Sequence, residues 1–276
     1  MPLVKTADLV APGRGIAAFN VITLEHAEAI VAGAEQAGQP VICQISENAV
    51  KFHGGRLAPI AAATVAVAEA SSARVALHLD HVTDLGLLRQ AAECGFGSVM
   101  YDGARLPYEE NVATTAEAVA WAHANGLWLE AELGEIGGKD GAHAPGVRTR
   151  PEEAKAFVAA TGVDALAVAV GSSHAMTTRT ARLDHDLIAT LAAALPVPLV
   201  LHGSSGVPDD ELRRAVQAGM VKINIGTALN IAFTGAVREH VADHVDPRRY
   251  LAPARTAMAD VVAHLLNVVA GDAVTP

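Results

Sequence analysis

The sequence is short of cysteine, of positive charge, of long apolar runs and of aromatic residues, and each shortage narrows what the chain can be. Its two cysteines, Cys43 and Cys94, both sit in apolar runs. They read as reduced core residues of a cytoplasmic protein rather than as a disulfide framework. Lys and Arg total 20 against 30 Asp and Glu, a formal net charge of -10. That balance repels phosphate polymers and anionic surfaces at long range, so neither nucleic acid nor membrane is expected as a partner. No uninterrupted apolar run reaches the ~20 residues a membrane helix needs, and the residues from Met1 to Thr6 lack the basic-then-apolar order of a signal peptide. The expected location is the cytoplasm. Aromatics make up only 4% while apolar residues reach 51%, which suits Ala- and Val-rich helices packed on buried strands.

What is present is a rhythm. Strand-like apolar runs fall at 15–21, 41–46, 75–80, 98–102, 127–132, 165–170, 198–203 and 220–226. Ala-rich stretches of crossover-helix length lie between them, at 23–37, 56–71, 107–124, 151–160, 184–194 and 208–218. The alternation predicts an α/β fold, a (β/α)8 TIM barrel, as a single domain over residues 1–276 with 240–276 as a C-terminal helical extension. The runner-up, an open doubly wound sheet, wants a glycine-rich phosphate loop after its first strand. Phe19-Asn20-Val21-Ile22-Thr23 is no such loop. Thr23, Thr149 and the run Pro208-Asp209-Asp210-Glu211 mark helix starts. The connection from Leu133 to Arg150 is long and holds Gly134, Gly137, Gly138, Gly141 and Gly146, which reads as a lid.

In a TIM barrel the active site lies at the carboxyl ends of the strands, and the polar residues collect there. Strand three ends in Asp80-His81, a carboxylate beside an imidazole; strand five ends in Glu130-Ala131-Glu132; strand six leads to His174; strand seven ends in His202. Three imidazoles at three strand tips match a catalytic zinc site, which takes about three protein ligands and keeps one position open. Glu130 and Glu132 share a face, so one of them can approach the metal; the alternative is a salt-bridged barrel interior. His78 shares the face of Asp80 and either lines the site or is a satisfied core histidine. Asp102, ending strand four, is a candidate to support a ligand. His53 and His143 lie in loops, and the histidines at 26, 123, 185, 240, 244 and 264 fall in helices as surface or capping residues.

Two loops carry a phosphate signature. Gly203-Ser204-Ser205-Gly206 and Asn224-Ile225-Gly226-Thr227 run from strands seven and eight into helices, presenting N–H groups and hydroxyls at helix starts. Phosphate sites after these two strands are common in the fold.

Taken together, Ala18-Phe19-Asn20-Val21, Ser98-Val99-Met100-Tyr101-Asp102-Gly103, Glu130-Ala131-Glu132-Leu133-Gly134, His202-Gly203-Ser204-Ser205-Gly206, Val221-Lys222-Ile223-Asn224 and Asp246-Pro247-Arg248 resemble the class II, metal-dependent fructose-bisphosphate and tagatose-bisphosphate aldolases over nearly the whole chain. The resemblance implies a lyase that reversibly cleaves a ketose 1,6-bisphosphate to dihydroxyacetone phosphate and an aldehyde phosphate. It implies one catalytic Zn2+ per chain on His81, His174 and His202, with Glu132 approaching the metal in some members. Another divalent metal, or a monovalent cation in addition, is left open. It makes Asp80 the proton-transfer residue and gives Gly203, Ser204, Ser205, Asn224, Ile225, Gly226 and Thr227 to the dihydroxyacetone phosphate. Asn20 is a further substrate contact, Ser46 and Arg248 hold the far phosphate, and Arg248 reaches over from a neighbouring subunit of a dimer or tetramer.

The chain also departs from the family pattern. The usual loop glutamate, eight residues past Glu132, is Asp140, one methylene shorter. Ala175 and Val82 stand where glycines are usual, and a methyl in place of hydrogen limits how closely a phosphate approaches the backbone. Two alternatives stay open: a class II aldolase for another phosphorylated keto sugar, such as a deoxy-ketogluconate phosphate, and a non-catalytic barrel subunit of an aldolase complex. The second predicts lost metal ligands.

Overall fold

In the computed structural model, which describes residues 3–133 and 147–270, eight parallel strands pair in sequence order. They are β1 (Ile16–Asn20), β2 (Val41–Ser46), β3 (Val75–Val82), β4 (Ser98–Tyr101), β5 (Trp128–Glu132), β6 (Ala165–Ala167), β7 (Leu199–Leu201) and β8 (Met220–Ile225). β8 pairs back onto β1, which closes the barrel. The fold is the TIM barrel that the alternation predicts. The helices are α1 (Leu24–Ala37), α2 (Glu47–Phe52), α3 (Leu57–Glu69), α4 (Leu85–Arg89), α5 (Tyr108–Ala124), α6 (Pro151–Thr161), α7 (His185–Ala194), α8 (Asp209–Gln217), α9 (Thr227–His240) and α10 (Arg248–Ala270).

Strand parity sorts the residues, because successive side chains point to opposite faces. Val41, Cys43, Ile45, Val75, Leu77, Leu79, Leu129 and Ile223 belong to the large core between barrel and helices. Ile16, Ala18, Ile42 and Ala76, of the other parity, form a small separate cluster with Leu9. Each of these inward rows turns polar as it climbs: Ile16-Ala18-Asn20 on β1, Ile42-Gln44-Ser46 on β2, Ala76-His78-Asp80 on β3. On β5 the row is Trp128-Glu130-Glu132 and on β8 Lys222-Asn224. The barrel is thus apolar at its amino end and polar at its mouth.

Several details differ from the sequence reading. β6 and β7 leave the ladder earlier than the apolar runs 165–170 and 198–203 end, although Val168 and Val170 stay buried. α2 and α4 are too short to show a helical period. Thr149 does not cap α6; its hydroxyl accepts from the Ala169 N–H at 2.8 Å, and Pro151 opens the helix after Arg150. His244 lies between α9 and α10 rather than in a helix, and His26 is a capping residue that is also buried. α10 packs along α1 and α9 and against β1. No helix among the described residues is long and apolar enough to cross a membrane.

Candidate active site

The polar tips of the inward rows meet in one cavity of about 850 Å³ at the carboxyl ends of the strands. Asp80 and His81 both line it, although they are neighbours on a strand and regular alternation would part them. Asp80 has the parity of Ala76 and His78; His81 has that of Leu77 and Leu79. The β3–β4 register shifts between Leu79 and Val82, and His81 takes φ 49°, so the second side chain is turned into the mouth. A left-handed φ on a non-glycine residue costs about 1–3 kcal/mol and persists only where the surroundings enforce it. Here Val82 is buried and paired with Tyr101, and the His81 Nδ1–H donates to Asp102 Oδ2 at 2.9 Å.

His174 and His202 complete the imidazole group. One ring nitrogen from each of His81, His174 and His202 lies within 4.8 Å of the others, and His81 Nε2 is 2.9 Å from His202 Nδ1. His202 presents its other nitrogen to the barrel interior, where Nε2–H donates to Glu130 Oε1 at 2.8 Å and the Asn224 side-chain amide lies 3.1 Å away. A carboxylate oxygen only accepts, so Asp102 and Glu130 assign the protons to His81 Nδ1 and His202 Nε2. In the neutral form of each ring that leaves the lone pairs on His81 Nε2 and His202 Nδ1, 2.9 Å apart, the arrangement in which carboxylate-backed imidazoles bind a metal. Neutral imidazoles from three strand ends are the donor chemistry of a catalytic zinc site, and the residues fit such an ion. His81, Asp102 and Glu132 form a second group with the same 4.8 Å spread. Glu132 Oε2 lies 3.9 Å from His81 Nδ1, the nitrogen that Asp102 occupies.

His78 lies deeper. It is fully buried, and its Nδ1 is 2.8 Å from the Ser98 hydroxyl, which is in turn 2.6 Å from that of Thr6. Burial first, then the Lys222 ammonium, hold its imidazole well below the ordinary range, so it is neutral. It does not line the cavity; of the two readings left open by its sequence, it is the core histidine.

The opposite wall is built differently. Gly203 has φ 67°, and a Cβ there would stand 2.5 Å from the Ser173 carbonyl carbon, so only glycine fits between the β7 loop and the loop carrying His174. Ser205, Gly226 and Thr227 line the cavity, and the Ser205 hydroxyl accepts from the Ala228 N–H at the start of α9. Ser204 and Ile225 are buried and do not line it; the Ser204 hydroxyl donates to the Asn224 carbonyl and ties the two loops together. Asn20 and Ser46 line the far side, where Asn20 Oδ1 accepts from Gln44 Nε2 at 2.8 Å and Ser46 caps α2 through the Ala49 N–H. Ala175 takes φ 58°, the conformation that glycine adopts without strain. Val82 needs no such freedom and packs in the core.

Arg248 does not reach the cavity within one chain. It begins α10, 88% exposed, with its guanidinium on the Asp246 carboxylate. Asp140 and His143, with most of the stretch read as a lid, lie outside the described residues. Gln44, Lys51 and Arg105 line the cavity without having been singled out from the sequence. Gln44 shares the parity of Ser46, a signal that could have found it; Arg105 sits in a loop, where no periodicity points anywhere.

Comparison with known proteins agrees with this geometry. The family described as fructose-bisphosphate aldolase class-II matches residues 6–272. A protein of Bacillus subtilis (strain 168) named "Probable fructose-bisphosphate aldolase" is 38% identical over 272 residues, 95% of each chain. The crystal structure of the YdjI aldolase from Escherichia coli K12 superposes with a TM-score of 0.82 at 31% identity, covering 95% of this chain and 93% of that one. A fructose-bisphosphate aldolase from Campylobacter jejuni, at 24% identity and a TM-score of 0.78 over 93% of this chain and 90% of that one, shares the fold.

Proposed function

We propose a function from one premise: the chain belongs to the class II fructose-bisphosphate aldolase family, and is a lyase. Within that family we assign it the reversible cleavage of a ketose 1,6-bisphosphate, of fructose or tagatose type, to dihydroxyacetone phosphate and an aldehyde phosphate. The observation that carries the reading is the meeting, in one cavity, of three convergent imidazoles, the Asp80 carboxylate and a wall of backbone and hydroxyl groups.

His81, His174 and His202 would hold one Zn2+, with Glu132 in reserve beside His81. Another divalent metal, or an added monovalent cation, remains compatible with the same donors. Bound there, the ion would supply Lewis-acid polarisation of the substrate carbonyl. The chain's own residues do the rest. Asp80 takes the proton from the C4 hydroxyl in cleavage and returns it in condensation. Gly203, Ser205, Asn224, Gly226 and Thr227 receive the phosphate of dihydroxyacetone phosphate, with Ser204 and Ile225 fixing those loops from behind. Asn20 and Ser46 orient the rest of the substrate. Asp140 moves the proton at the dihydroxyacetone phosphate carbon, and Arg248 meets the far phosphate of a neighbouring subunit in a dimer or tetramer. The retained imidazoles and Asp80 speak against a non-catalytic subunit.

The test couples cleavage of fructose and tagatose 1,6-bisphosphates to detection of dihydroxyacetone phosphate, with metal content measured in parallel. About one zinc per chain and chelator-sensitive cleavage of either substrate are expected. Cleavage that survives complete metal removal would sink the reading.

A further inference from the structure

Below the three imidazoles lies an ion pair that the proposed chemistry does not use. Lys222 Nζ, from β8, donates to Glu130 Oε2, from β5, at 2.8 Å, and both side chains are wholly buried. β5 and β8 are not neighbours in the barrel, so the pair crosses its interior. Stability is a poor explanation for it, because replacing a buried ion pair by apolar groups of similar volume is often neutral or stabilising. The geometry supplies another. Glu130 has two oxygens and both are assigned: Oε2 to Lys222, and Oε1 to the His202 Nε2–H at 2.8 Å. Lys222 thereby anchors the carboxylate from behind, and the carboxylate fixes both the rotation and the tautomer of His202, whose Nδ1 is left facing His81 Nε2.

We propose that Lys222 and Glu130 are positioning residues for the metal site, a clamp that holds His202 in its metal-binding tautomer. The inference rests on the reading that His81, His174 and His202 take the ion. It gives a specific role to Lys222, which does not itself line the cavity.

Glu130→Gln is the sharpest test, because it keeps the volume and reverses one hydrogen bond. The amide oxygen is drawn to the Lys222 ammonium, which turns the amide NH2 toward His202 Nε2. That nitrogen must then accept, the proton moves to Nδ1, and the lone pair facing the metal position is lost. Zinc affinity of the purified full chain, measured by competition with a chromophoric chelator, is expected to fall about 10–100-fold, while the metal-free protein stays folded but melts below the parent, because Lys222 is left as a buried charge without its carboxylate. A second variant, Glu130→Leu with Lys222→Met, removes the clamp without leaving a buried charge, and the same loss of affinity is expected with metal-free melting unchanged or raised. Parental zinc affinity in a folded variant overturns the clamp. His202→Ala separates the two levels: if it also binds zinc like the parent, the three-imidazole reading fails and the clamp with it. If His202→Ala loses zinc while both clamp variants keep it, the clamp alone fails.

Discussion

The two walls of the cavity use different chemistry. The β3–β4 wall is lined by side chains that carry protons or lone pairs, Asp80, His81 and Asp102, with the carboxylates of Glu130 and Glu132 from β5 buried behind it. The β7–β8 wall past His202 is made of what the backbone offers, N–H groups, hydroxyls and the space left by Gly203 and Gly226. The difference follows from what each wall is suited to meet. A metal and a migrating proton need groups of definite charge and tautomer, so that wall is buried, paired and carboxylate-rich. A phosphate needs convergent donors and close approach, and a carboxylate beside it would repel it. A chain with a formal charge of -10 thus keeps its acidic groups off the wall proposed for an anion.

The comparison can be broken from either side. The largest effect is expected from Asp80→Ala, which should keep zinc but lower cleavage by about 10²–10⁴-fold, the usual worth of a positioned general base. Steady-state kinetics beside metal analysis checks it, and near-normal turnover would remove Asp80 from the proton path. Next comes Gly203→Ala. The added Cβ would stand 2.5 Å from the Ser173 carbonyl carbon at a φ of 67°, so the two loops must separate. A stability loss of about 1–3 kcal/mol and a KM that rises while zinc stays bound are expected; denaturant melts and substrate titration read both. Parental KM would mean that the β7 loop does not set the phosphate position. The smallest effect is a gain. Ala175→Gly relieves a left-handed φ of 58° and should stabilise by up to about 1 kcal/mol, the strain relieved less the extra freedom of glycine in the unfolded chain. A lower melting temperature would show that the alanine methyl makes a contact worth more than its strain.

The acidic wall was half legible in the sequence. Asp80, His81 and Glu132 announce themselves at strand tips, and the i, i+2 spacing of Glu130 with Glu132 and of His78 with Asp80 tells that each pair shares a face. That spacing does not tell which member of a pair reaches the cavity. Depth along an inward row decides it: Asp80 lines the cavity, whereas His78, two residues lower, is sealed among Ser98, Thr6 and the Lys222–Glu130 pair. The neutral wall was legible as two loops, but not residue by residue. Within Gly203–Ser205 the middle residue turns inward to bind the Asn224 carbonyl, a choice made by the neighbouring strand.

The order of apolar runs and the polar residue types at their ends are enough to specify a closed parallel barrel with its chemistry at one mouth, because strand period, crossover length and strand-end position are local properties of the chain. Two decisions are not local. Asp80 and His81 face the same cavity only because β3 slips its register against β4 and His81 accepts a left-handed φ, held there by Asp102. Lys222 finds Glu130, 92 residues away in sequence, only because closure of the barrel brings β5 and β8 across one interior. Contacts of that kind carry no signature in a single strand, and the closed tertiary structure is what creates them.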